Sequence, residues 1–60
     1  MIEQTLRAGL VVSMPSGNVI VLLRREKGEW LCHYALGARQ RGEIYLQPAW
    51  LRKFGVVVSP

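Results

Sequence analysis

Apolar and β-branched residues cluster from Ala8 to Met14 and stop at Pro15-Ser16-Gly17-Asn18. Proline there fixes φ at about −65° and Gly or Asn accepts a positive φ, so the pattern predicts a strand running into a tight hairpin turn. Val19 to Arg25 reads as a second strand, apolar on both faces through Leu23, as expected of a segment covered on both sides or curling. Glu26-Lys27-Gly28-Glu29 turns the chain again. Trp30 to Ala35 alternates with period two, which sets Trp30, Cys32 and Tyr34 on one face, taken as the inner one, and Leu31 and His33 on the other. Leu36 to Gly42 has no periodicity, two glycines and two arginines, and reads as an exposed hairpin loop. Glu43-Ile44-Tyr45-Leu46 is a fourth strand. Gln47 to Leu51 reads as one 3₁₀ turn opened by Pro48, with Trp50 and Leu51 in the core. Arg52 to Val58 is then a fifth strand with a bulge or bend at Gly55. No segment keeps a helical apolar repeat over three turns.

Five short strands joined by tight turns, with a one-turn 3₁₀ element before the last, predict a single all-β domain laid out as an SH3-like barrel. Residues 1–5 lie outside this pattern and read as a loosely attached N-terminus. Ser16-Gly17 after the first strand, Ile44-Tyr45 in the fourth and the Ala49, Leu51, Arg52 stretch beyond it resemble the plasmid-borne type II dihydrofolate reductases. That family is built of SH3-like homotetramers with one active site around a central pore. The resemblance implies the fold and self-association. Gly42-Glu43-Ile44-Tyr45 stands where the family has Val-Gln-Ile-Tyr, so a carboxylate replaces its ligand-contacting glutamine. Met14 or Pro15 stands where the family places a lysine, so the resemblance argues against the reductase activity, which stays as a third reading behind the two binding readings below.

Sixty residues suffice for one core, and a chain of this length hides only about 60% of the surface its unfolded form exposes. Apolar residues make up 50% of the sequence and charged ones 20%, so part of the apolar surface is expected to be shared with a second copy or a larger partner. Cys32 is the one cysteine and His33 the one histidine. Within these residues there is neither an intrachain disulfide nor a Cys/His zinc spacing. The longest apolar run, Val19 to Leu23, is far short of the roughly 20 residues of a membrane helix. With no secretory signal at Met1-Ile2-Glu3-Gln4-Thr5, the expected location is the cytoplasm, where a lone thiol stays reduced.

Eight Lys and Arg against four acidic residues leave a net charge of +4. Spread along the chain rather than gathered in a tail, these groups suit either a folded basic face for nucleic acid or ordinary solubilising charge. Arg39 and Arg41, two apart in the long loop, form the pair best placed to straddle a phosphate backbone; Arg24, Arg25, Arg52 and Lys53 complete the expected phosphate-contacting set. Aromatic residues interleaved with arginine are also what single-stranded nucleic acid stacks on. Of the five rings, Trp30, Tyr34 and Trp50 read as core, while the pattern leaves Tyr45 and Phe54 open. A rival surface is the edge of the last strand, Val56-Val57-Val58, together with Tyr45, available for pairing with a second copy or another protein. Cys32 and His33 invite a nucleophile–base reading, but neighbours in a strand point to opposite faces. No catalytic residue, cofactor or metal is expected.

Overall fold

The structure, a computed structural model, describes residues 2–35 and 41–59. Its elements are β1 (Val11–Ser13), β2 (Val19–Glu26), β3 (Glu29–Tyr34), β4 (Glu43–Leu46), α1 (Pro48–Phe54) and β5 (Val56–Ser59). All described neighbours pair antiparallel, in one sheet of order β4-β3-β2-β1-β5, so β4 and β5 are its two edges. The domain is all-β apart from one short helix. Among the described residues no helix is long and apolar enough to cross a membrane.

The hairpin of β2 and β3 closes on Lys27 and Gly28, with Glu26 opposite Glu29. Both turn residues have positive φ, 51° and 82°, the two-residue arrangement whose twist matches that of the flanking strands. Further up the hairpin the register shifts between Leu22 and Arg24. Leu23 is the extra residue, and it reverses the alternation of everything after it. Ile20 and Leu22 enter the core; beyond the bulge Arg24 and Glu26 share the outer face with Val19 and Val21.

The core gathers Ile2, Leu6, Leu10, Val12, Ile20, Leu22, Trp30, Cys32 and Leu51, with Tyr34, Ile44, Leu46, Trp50 and Val57 packed against it. The predicted inner face of β3 is thus the observed one, but Leu31 on the outer face is also only 2% exposed and lies apart from the core cluster. Its partners in register are Arg24 on one side and Tyr45 on the other. Glu26 ties those two together, accepting from Arg24 Nε and, at 3.1 Å, from the Tyr45 hydroxyl. A small polar arch therefore shelters a leucine that simple alternation assigns to solvent.

The segment read as a 3₁₀ turn is a seven-residue α-helix. Leu51 N–H donates to Gln47 O and Gly55 N–H to Leu51 O, at 3.1 and 2.8 Å, the i to i−4 bonds of an α-helix. Pro48 needs no partner at the helix start, and Ala49, Leu51, Arg52 and Lys53 are good helix formers. Arg52 and Lys53 in the last turn complement the helix dipole. They belong to α1, not to a strand, and β5 begins only at Val56. The first strand is also shorter than Ala8 to Met14, although Gly9 N–H to Leu22 O and Leu22 N–H to Leu10 O, at 2.8 and 3.0 Å, prolong its contact with β2. In the N-terminal stretch expected to be loose, Ile2 is buried and its N–H donates to Arg52 O at 2.9 Å.

Gly55 is a contact point rather than a bulge. Its φ is an ordinary −78°, but a Cβ there would lie 2.7 Å from both Leu51 O and Val12 Cγ1, and 3.1 Å from Ile2 Cδ1. Helix and sheet meet backbone to side chain at this residue, which fixes where α1 ends and where Phe54 stands.

Candidate nucleic-acid interface

All seven described Lys and Arg side chains are exposed. Among the described residues the one ion pair is Arg24 with Glu26, so most of the positive charge faces solvent without a carboxylate partner. Apart from Arg7, which precedes β1, the described cations fall into three groups. Arg24, Arg25 and Lys27 sit at the β2–β3 turn. The two arginines project to opposite faces: Arg24 lies on the outer one beside Glu26, while Arg25 donates to Gly28 O at 3.3 Å and stands 5.8 Å from the Trp30 ring centroid. Arg52 and Lys53 are together on α1, with Arg52 Nη1 donating to Gln4 O at 3.3 Å.

Arg41 is at the other end of the sheet. Gly42 O accepts from Tyr34 N–H, whereas Arg25 is level with Trp30. Four residues of strand separate the two levels, about 13 Å. Arg39 lies outside the described residues. The six expected phosphate contacts are therefore not one cluster along the sheet, and the pairing best supported by placement is Arg52 with Lys53.

The structure resolves the two rings left open by the sequence. Tyr45 is 49% exposed and Phe54 44%, and their electrical surroundings differ. Tyr45 borders a cleft of about 320 Å³ lined also by Glu26, Lys27 and Glu29. Its hydrogen bond to Glu26 raises the phenol's pKa, and the charges of Glu26 and Glu43 push the same way against Arg24. Phe54 has Lys53 Nζ 5.4 Å from its centroid and the Trp50 ring 5.4 Å away, tilted by 45°. Trp50 is half-buried against the core, so it backs the Phe54 ring.

The residues of the rival surface divide. Val56 and Val58 are each 59% exposed, while Val57 packs against the core. Tyr45 is on β4, the opposite edge of the sheet from β5. Cys32 is buried, its Sγ donating to Trp30 O at 3.6 Å, and burial pushes its thiol pKa up to about 11. His33, on the other face, is exposed. Among the described residues no group of His, Cys, Asp and Glu could hold a metal ion.

The arch of Arg24, Glu26 and Tyr45 escapes a residue-by-residue reading, because Tyr45 is distant in sequence from the other two. The signal for it is the register: counting outward from the Lys27-Gly28 turn, before the bulge at Leu23 is reached, puts Arg24 opposite Leu31, and the pairing of β3 with β4 adds Tyr45 to the row. Comparison with known protein families, curated proteins and solved structures finds no match to this chain.

Proposed function

We propose that this protein is a small non-catalytic binding module that holds a nucleic-acid backbone through exposed cationic side chains, with little reading of base sequence. The observation carrying this is the unneutralised charge: seven described cations all exposed, with a carboxylate partner for only Arg24 among the described residues. Arg52 and Lys53 are the principal contacts; Arg24, Arg25 and Arg41 extend the field, and Arg39 belongs to the same set by sequence. Neutralising phosphates with Lys and Arg releases condensed counterions, which drives binding without base contacts. Fluorescence anisotropy with labelled single-stranded and duplex DNA and RNA at low salt is expected to show binding. No binding to any of them would remove this reading.

The same reading takes the sheet as an SH3-like barrel. The strand order, the placement of α1 between β4 and β5, and the bulge in β2 at Leu23 support it. A cytoplasmic location goes with it, given the free thiol of Cys32. Reductase chemistry is not included, since Glu43 stands at the position of the ligand-contacting glutamine in the family resembled.

A second reading, self-association through β5, is favoured by one observation. Val56 and Val58 are open on an edge strand that carries no charge, the kind of edge that accepts another strand. Light scattering coupled to gel filtration should then give a dimer for the natural chain and a monomer for Val58→Lys. A natural chain that stays monomeric at high concentration contradicts it.

A further inference from the structure

We propose that the nucleic acid this module takes is single-stranded, and that Phe54 is the platform on which a base stacks while Lys53 and Arg52 hold the adjoining phosphates. This rests on the backbone-binding reading above and goes beyond it by naming the strand and the ring. Two rings are open to solvent, and their neighbours decide between them. Tyr45 shares its cleft with Glu26, Glu29 and Lys27 and spends its hydroxyl on Glu26, so its two neighbouring cations, Lys27 and Arg24, are set against the carboxylates of Glu26, Glu29 and Glu43. A polyanion brought to that ring meets carboxylates.

Lys53 holds its ammonium 5.4 Å from the Phe54 ring centroid, and Arg52 is exposed on the same short helix. The freedom of the ring is limited before any ligand arrives: Trp50 contacts it on one side, and Gly55, close against Val12 and Leu51, holds the end of the helix to the sheet. A pre-placed ring loses little freedom on binding. Arg52 spends one donor on Gln4 O, and its guanidinium fork has others for phosphate oxygens.

Duplex does not suit this surface. Base faces are covered in a duplex, so a surface ring meets one only in an unpaired strand, where stacking tolerates any base. The exposed residues of α1 are Ala49, Arg52, Lys53 and Phe54, so a ring stands where a duplex offers it no base face. The helix is also only about 10 Å long.

The test uses the intact chain, a labelled oligo-dT of about 15 nucleotides and a duplex of equal length, read by anisotropy at low salt. Oligo-dT should bind more tightly than duplex. Phe54→Ala and Phe54→Leu should each weaken oligo-dT binding roughly 5- to 100-fold while leaving duplex binding unchanged, and Phe54→Trp should bind like the natural chain. Tyr45→Leu, which removes a ring but still covers Leu31, should bind oligo-dT normally. Phe54→Leu keeps the apolar bulk and guards against an unfolded alanine variant, with far-ultraviolet circular dichroism confirming the fold. If the natural chain binds both probes equally and Phe54→Leu binds oligo-dT unchanged, stacking is overturned while backbone binding stands. If the natural chain binds neither probe, both proposals fall.

Discussion

Gly55→Ala is expected to lower the unfolding free energy by about 1–3 kcal/mol, the usual cost of forcing one extra group into a filled core. The added Cβ would sit 2.7 Å from two atoms that cannot easily move. One is Leu51 O, the acceptor of the last helical bond, and the other is a methyl of fully buried Val12. An opposing term exists, because alanine restricts the unfolded chain and the backbone at Gly55 is compatible with it; that gain is about 0.4–1 kcal/mol. The steric term is the larger. In a domain of this size, whose core supplies roughly 3–5 kcal/mol, the loss is a large share of the total. Urea unfolding followed by circular dichroism should show a clearly lower midpoint for Gly55→Ala, and an unchanged or raised midpoint would show that helix and sheet do not meet as described.

The second large effect is alkaline. Burial lifts the Cys32 thiol from 9.0 to about 11, because a thiolate in the apolar core loses its hydration. Both folded and unfolded states hold the proton below pH 9, so there the contribution to stability is complete. As pH rises from about 9 to 11 the unfolded chain releases the proton first, and the contribution is lost across that window. At about 1.4 kcal/mol per pH unit of separation, the loss approaches 2–3 kcal/mol. Lysine, tyrosine and arginine titrate nearby, so the informative quantity is the difference between the natural chain and Cys32→Ala. That difference should shrink between pH 8 and 11. Parallel profiles would place the thiol in water.

Local chemistry made much of the fold legible. The Lys27-Gly28 turn, the alternation of Trp30, Cys32 and Tyr34, and the strand at Glu43 to Leu46 are each signalled by residues within a few positions of one another. The helix was not legible, because a seven-residue segment is too short to display a repeat. Gly55, required for a close approach, carries the same letter as a glycine at a bulge. Leu31 shows the limit of alternation: its burial depends on Arg24 and Tyr45, neighbours across the sheet rather than along the chain.

The site was legible as composition and not as geometry. Charge could be counted, yet the faces taken by Arg24 and Arg25 depend on one unpaired residue at Leu23. Tyr45 and Val56–Val58, expected to form one pairing surface, stand on opposite edges. That carboxylates offset the cations at Tyr45 follows from Glu26 and Glu29 reaching it through the register of β2, β3 and β4.

If guanidinium and ammonium groups without carboxylate partners, Arg52 and Lys53 of α1 foremost, bind phosphate, the most direct test is the salt dependence of oligo-dT affinity. With two to four phosphates neutralised, the logarithm of the association constant should fall linearly with the logarithm of salt, with a slope of about −1.5 to −3. A fourfold rise in salt should then weaken binding by roughly 10- to 60-fold. Affinity that does not change with salt, or no binding at the lowest salt tested, would contradict the account.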